Sequence, residues 1–83
     1  MIYDIVEVKF ITNHTLFLRF ENGVSGTVDI SEIIPFKGIF SKLKEVDYFS
    51  TVYLNSDIGT IVWDNGADIS PVFLYSIVSK KVA

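Results

Sequence analysis

Eighty-three residues, no cysteine and a net charge of −3 describe one small domain held by packing, and they exclude disulfides and thiolate metal sites. Apolar residues make up 49% and aromatic ones 14% of the chain, enough for a core without staples. The pI near 4.8 weighs against general binding to nucleic acid or acidic membranes, and the longest apolar runs fall far short of the ~20 residues that span a bilayer.

Residues 3–11 alternate, with Val6, Val8 and Phe10 turned one way and Glu7 and Lys9 the other, which predicts a half-buried strand. Asn13 and His14 supply a turn, where His14 is expected in solvent. Leu16, Leu18 and Phe20 then alternate with Phe17, Arg19 and Glu21 as a second strand. Asn22-Gly23 predicts a type I′ hairpin, whose two central residues need positive φ. Val24, Val28 and Ile30 alternate with Ser25, Thr27 and Asp29 in a third strand weakened by Gly26. Three antiparallel strands with one apolar face form a meander.

Asp29 or Ser31 caps a short helical turn that ends near Pro35, because the residue before a proline avoids α conformation. Gly38 to Lys44 reads as a short amphipathic helix, with Ile39, Phe40 and Leu43 on its apolar side and Ser41, Lys42 and Lys44 on its polar side. Residues 46–50 fit either a helical turn or the lead into a strand. Thr51 to Leu54 and Ile58 or Thr60 to Trp63 predict a second hairpin around the turn chemistry of Asn55-Ser56-Asp57. Asp64-Asn65-Gly66 makes a further turn. Ser70 as N-cap and Pro71 at the first helical position start a C-terminal helix. Leu74, Ile77 and Val78 share its apolar face, and Lys80 and Lys81 suit the negative end of its dipole. The expected fold is α+β, a single domain over residues 1–83: a three-stranded antiparallel meander, a second β-hairpin, short middle helices and a C-terminal helix.

The densest cluster of candidate functional residues is the turn Trp63, Asp64, Asn65, Gly66 and Asp68. Asp64 and Asp68, with Asp57 nearby, suit an acid–base pair or a metal-dependent site, since two carboxylates in different surroundings can hold different pKa values. The competing explanation is turn and capping chemistry around Gly66. Asp57 to Asp68 lacks the alternating oxygen ligands and closing Glu of an EF-hand, and His14 is the sole histidine, too few for a His-rich zinc site. No catalytic residue, metal or cofactor is assigned. Trp63 is expected in the core, between the sheet and the C-terminal helix. Lys37, Lys42 and Lys44 beside Tyr48 and Tyr53 form a candidate interaction surface, with Glu32, Glu45 and Asp47 diluting its positive field.

From Gly59 to Tyr75 the chain resembles the bacterial domain-of-unknown-function family 2442. The resemblance rests on Gly59-Thr60-Ile61-Val62-Trp63-Asp64-Asn65-Gly66-Ala67-Asp68-Ile69-Ser70-Pro71 with Leu74-Tyr75, on Asn22-Gly23 followed by Gly26-Thr27-Val28-Asp29-Ile30, and on Phe36 through Phe40 with Leu43. It implies a small α+β fold with a curved antiparallel sheet and short helices. Some members resemble the front half of proteins ending in a helix-turn-helix, a pattern not legible within these residues. Many look like neighbours of another tiny domain, an arrangement similar to toxin–antitoxin pairs. The resemblance implies no catalytic residues.

The leading expectation is a non-enzymatic protein-interaction module, one half of a toxin–antitoxin-like or regulatory pair, or a self-associating domain. A mean hydropathy of +0.41 and open sheet edges motivate it. The alternative is a nucleic-acid-binding or regulatory domain, and the distant one a small-ligand or metal-dependent enzyme using Asp64 and Asp68. Met1-Ile2-Tyr3-Asp4 lacks the pattern of a signal peptide, so we expect a cytoplasmic protein without membrane partners, in which the sequon Asn13-His14-Thr15 goes unused.

Overall fold

The alternating segments pair as β1 (Ile5–Thr12), β2 (Thr15–Phe20) and β3 (Ser25–Asp29), an antiparallel sheet in the order β1-β2-β3. These positions come from a computed structural model that describes residues 3–81. Met1, Ile2, Val82, Ala83 and the side chain of Lys81 lie outside the described residues, and with them the expectation for Lys81. Leu16, Leu18 and Phe20 of the central strand are fully buried. Their register partners Phe10, Val8 and Ile5 in β1, and Val28 and Gly26 beside Leu16 and Leu18 in β3, share the inner face.

The first strand departs from simple alternation. Its register slips between Ile5 and Glu7, so Val6 is the extra residue of a β-bulge. Ile5 therefore enters the core at 2% exposure, while Val6, expected inside, is 40% exposed. On the outer face Glu7 accepts from the Arg19 guanidinium at 2.9 Å and pairs with the Lys9 ammonium at 3.1 Å. Those two hydrogen bonds, Arg19 first, hold the Glu7 carboxyl below its ordinary value.

The second turn is not type I′. Gly23 has φ +92, but Asn22 does not have positive φ. Glu21, Asn22 and Gly23 instead form a three-residue loop, with the Phe20 N–H donating to Val24 O at 2.8 Å and the Gly23 N–H to Phe20 O at 2.9 Å. Only the last position needs the left-handed region, which glycine supplies without a steric cost. The Asn22 side chain serves both ends: its Oδ1 accepts from the Val24 N–H, and its Nδ2 donates to the Tyr75 hydroxyl at 2.9 Å.

After β3, Asp29 caps α1 (Ile30–Ile33) by accepting from the Ser31 N–H, and the helix stops ahead of Pro35. Gly38–Lys44 is a 3₁₀ helix rather than an α-helix, with i→i+3 bonds from Phe40 N to Lys37 O and from Glu45 N to Lys42 O. With three residues per turn, Phe40 and Leu43 align and face inward, and Ile39 falls about 120° away. Ile39 is accordingly 50% exposed, a correction to its expected place on the apolar face. Residues 46–49 form a single helical turn, α2 (Val46–Phe49).

His14 is half-buried rather than solvated. Its Nε2 lies 2.7 Å from Leu43 O, so that nitrogen carries the proton and donates. The rings of Phe36 and Phe49 meet it edge-on at 5.0 Å each. One side chain thus ties the first hairpin to the 3₁₀ segment.

The second hairpin pairs β4 (Tyr53–Asn55) with β5 (Thr60–Val62). It joins the meander through the Ile5 N–H, which donates to Gly59 O at 2.9 Å. The last element, α3 (Pro71–Lys81), starts where Ser70-Pro71 predicts, with the Ser70 Oγ accepting from the Phe73 N–H at 3.4 Å. It lies across β3 and buries Leu74 and Val78 completely. The approach is close: a Cβ at Gly26 would stand 3.2 Å from Val78 Cγ1.

Candidate functional site

The Asp64 turn repeats the construction of the Glu21 turn bond for bond. The Trp63 N–H donates to Ala67 O at 2.9 Å, the Gly66 N–H to Trp63 O at 3.0 Å, and Gly66 has φ +92. Asn65 Oδ1 accepts from the Ala67 N–H at 3.0 Å, as Asn22 Oδ1 does from Val24. An acidic residue followed by Asn-Gly is therefore used twice for one shape. In both, the free Asn amide reaches a distant element: Asn22 holds α3 through Tyr75, and Asn65 Nδ2 donates to Ile39 O on the 3₁₀ segment at 3.0 Å.

Trp63 anchors the turn from below. It is 1% exposed, its Nε1 donates to Phe49 O at 2.9 Å, and its ring packs on the Phe49 ring at 5.6 Å. The keystone contact is thus made with α2, where the sequence pointed to the C-terminal helix. Phe49 also meets Phe10 of β1, so the indole connects β5, α2 and the meander. Beyond the turn, Asp68 bridges back to Val62, and Thr60 donates its buried hydroxyl to Ile69 O.

The upper side of the turn gathers residues from three other elements. The Tyr48 hydroxyl accepts from the Asn65 N–H at 2.9 Å, and the Lys42 ammonium sits over the Tyr48 ring at 4.6 Å from its centre. Tyr53, 45% exposed on β4, lies near enough to Asp64 for the carboxylate to act on its hydroxyl. Ile39 arches over Gly66, where a Cβ would lie 3.6 Å from Ile39 Cδ1. Tyr48, Tyr53 and Lys42 of the candidate aromatic–lysine surface, separate from the turn in sequence, thus lie around it. Lys37 and Lys44 are exposed on the same 3₁₀ stretch. Asp57 sits away from this face, in the β4–β5 loop, where its N–H donates to Asn55 Oδ1.

Asp64 and Asp68 are both exposed, and among the described residues no three His, Asp or Glu side chains converge as a metal site. The Tyr53 hydroxyl is held above its ordinary value of 10.0, first by partial desolvation, then by the negative charge and hydrogen bond of Asp64 and by Tyr48. A raised tyrosine pKa adds stability that is fully present below the unfolded value and is lost as pH rises through the folded one. Phenolate absorbance titration should therefore show one tyrosine ionising late, and Asp64→Asn should bring it back toward the ordinary value. An unchanged titration in that variant contradicts the Tyr53–Asp64 contact.

Asn65 offers a second check. Asn65→Ala removes the bonds to Ala67 N–H and Ile39 O, and at about 1 kcal/mol each for exposed bonds urea unfolding should show a loss of about 1–2 kcal/mol. Asn65→Asp keeps the acceptor for Ala67 but places a carboxylate oxygen against Ile39 O, so it should also destabilise. Two variants as stable as the parent would show that the turn is not tied to the 3₁₀ segment.

Sequence reasoning placed Ile39 in the core, and so missed it as a surface residue. The seven residues from Gly38 to Lys44 are too few to separate a period of 3.0 from one of 3.6.

No curated protein and no solved structure matches the chain. A family model described as Protein of unknown function (DUF2442) matches residues 5–78. That interval runs from Ile5 to Val78, the first and last buried residues of the hydrophobic core. It contains both acidic-Asn-Gly turns and the whole face built on the second, and the chain belongs to this family.

Proposed function

We propose that this domain is a non-enzymatic protein-interaction module of the cytoplasm, one half of a regulatory or toxin–antitoxin-like pair, and that it engages its partner through the face on the Asp64-Asn65-Gly66 turn. The observation that carries this reading is the convergence there of exposed Ile39 and Tyr53 on a scaffold fixed by the hydrogen bonds of Asn65 to the Tyr48 hydroxyl and to Ile39 O. Exposed aromatic and aliphatic anchors on a rigid support lose little entropy on binding and supply most of the energy at protein interfaces. Among the described residues no helix is long and apolar enough to cross a membrane, which is compatible with this location.

The test compares two single substitutions at equally exposed apolar residues. Ile39 and Val72 are both 50% exposed, the first on the proposed face and the second on α3. Tagged Ile39→Asp should lose a stoichiometric partner from a nuclease-treated host lysate, and tagged Val72→Asp should keep it. A partner retained equally by both variants, or recovered only when nuclease is omitted, overturns the proposal.

A further inference from the structure

We propose that Asn22-Gly23 is a site of spontaneous deamidation in the folded chain, restrained by the Tyr75 hydroxyl, and that its twin Asn65-Gly66 is held back more firmly by the 3₁₀ segment. The inference is independent of any partner. The reaction needs only water and a base from solvent. The base removes the Gly23 amide proton, and that nitrogen attacks the Asn22 Cγ. A bond from Cγ to the Gly23 nitrogen forms, the Cγ–Nδ2 bond breaks, and ammonia leaves. Water then opens the five-membered succinimide at either carbonyl, giving Asp or isoAsp. Glycine in the following position favours the attack, because it has no side chain to crowd the nitrogen.

Both turns hold the reacting groups in hydrogen bonds that the attack must break. The Gly23 N–H donates to Phe20 O, and the Gly66 N–H to Trp63 O. Each asparagine amide is shared between two partners, which it must release for Cγ to reach the glycine nitrogen.

The two sites differ in how tightly they are held. Asn65 Nδ2 donates to a main-chain carbonyl, Ile39 O, and its Oδ1 accepts at 3.0 Å. The Asn65 N–H is fixed as well, by the Tyr48 hydroxyl. Ile39 also lies over Gly66, with Cδ1 3.6 Å from where a Cβ would stand. At Asn22 the Oδ1 bond is longer, 3.2 Å, and Nδ2 has a single hydroxyl as its acceptor. A Cβ at Gly23 would meet nothing within 4 Å, and both residues are exposed, so solvent base has open access.

Deamidation turns a neutral tether into a charge. It adds one carboxylate, ionised at neutral pH, to a chain of net charge −3. Either product lacks the Nδ2 group that donates to Tyr75, and isoAsp lengthens the loop by one backbone carbon.

The test incubates the native chain at mildly alkaline pH in heavy-oxygen water, so that each ring opening leaves a mass label. Trypsin separates the sites, since Asn22 lies in the peptide of residues 20–37 and Asn65 in that of 45–80. Label should enter at Asn22 at least about twofold faster than at Asn65, and unfolding in urea should speed both. Tyr75→Phe should raise the Asn22 rate by about 2–12-fold, the factor matching the net worth of one hydrogen bond. Asn65 should react in that variant as in the parent, and so reports any general loss of structure. Label entering Asn65 as fast as Asn22, or no acceleration in urea, overturns the inference. So does a Tyr75→Phe variant in which the Asn22 rate is unchanged or both rates rise alike.

Discussion

Trp63→Ala should unfold the domain or lower its melting temperature by roughly 15–30 °C. Replacing a buried large aromatic by alanine costs about 3–5 kcal/mol, and for a domain of this size each kcal/mol moves the melting temperature by about 4–8 °C. The total stability of such a chain is about 4–12 kcal/mol, so one substitution removes much of it. The indole is 1% exposed, packs on Phe49 and donates to Phe49 O, so the change leaves a cavity and removes the shorter of two bonds to that carbonyl, the Val52 N–H keeping the other at 3.2 Å. Trp63→Phe separates the two effects. It fills most of the cavity but cannot donate, and because Phe49 O keeps the Val52 N–H it should cost about 0.5–1.5 kcal/mol, the net worth of one hydrogen bond. Circular dichroism melts of both variants decide the matter. Trp63→Ala melting near the parent temperature would remove the indole from the centre of the core.

Gly59→Ala is the second large effect, by a different physical route. Gly59 sits at φ +69 at the end of the β4–β5 loop, where its N–H donates to Asn55 O and its carbonyl accepts from Ile5. A non-glycine residue in the left-handed region costs about 1–2 kcal/mol, and a Cβ at this position would collide with the Asp4 carboxylate. Together they should cost about 2–3 kcal/mol, read by urea unfolding. The contributions separate in a double variant: Asp4→Ala frees the space but not the backbone. Gly59→Ala/Asp4→Ala should therefore recover the collision and keep the φ penalty. Full recovery in the double variant would show that φ strain contributes nothing there, and no recovery would show that Asp4 simply swings aside.

The three strands of the meander were legible because Leu16, Leu18 and Phe20 alternate strictly with polar or outward residues and the flanking strands follow that period over most of their length. The C-terminal helix was legible from Ser70-Pro71, whose capping and fixed φ act locally. The β1 bulge was not. Ile5 and Val6 are both apolar, so the alternation can start from either, and only pairing with Phe20 and Arg19 decides which turns inward. The geometry of the Asn22-Gly23 turn was hidden for a related reason. The dipeptide suits a two-residue loop, but the chain admits Glu21 as a third loop residue and needs one positive φ instead of two.

The candidate site was half legible. The acidic-Asn-Gly turn announces itself by local chemistry, since Asn and Gly carry the turn conformation in their own side chains and backbone. Its surroundings depend on contacts far apart in sequence: Asn65 to Ile39 across 26 residues, Asn65 to Tyr48 across 17, and His14 to Leu43 across 29. No periodicity within a window reports such contacts. They bring Ile39 over Gly66 and set Tyr48, with Lys42 on its ring, against the turn.

Site-specific photocrosslinking tests that face most directly. A benzophenone side chain is placed singly at positions 39, 53, 72 and 11, all exposed in the domain, and irradiated in the native host. The account predicts that positions 39 and 53 crosslink to the same protein and that 72 and 11 do not. Crosslinks to a single partner from 72 or 11, with none from 39 and 53, would contradict it and move the interface to α3 or to the hairpin end of β1.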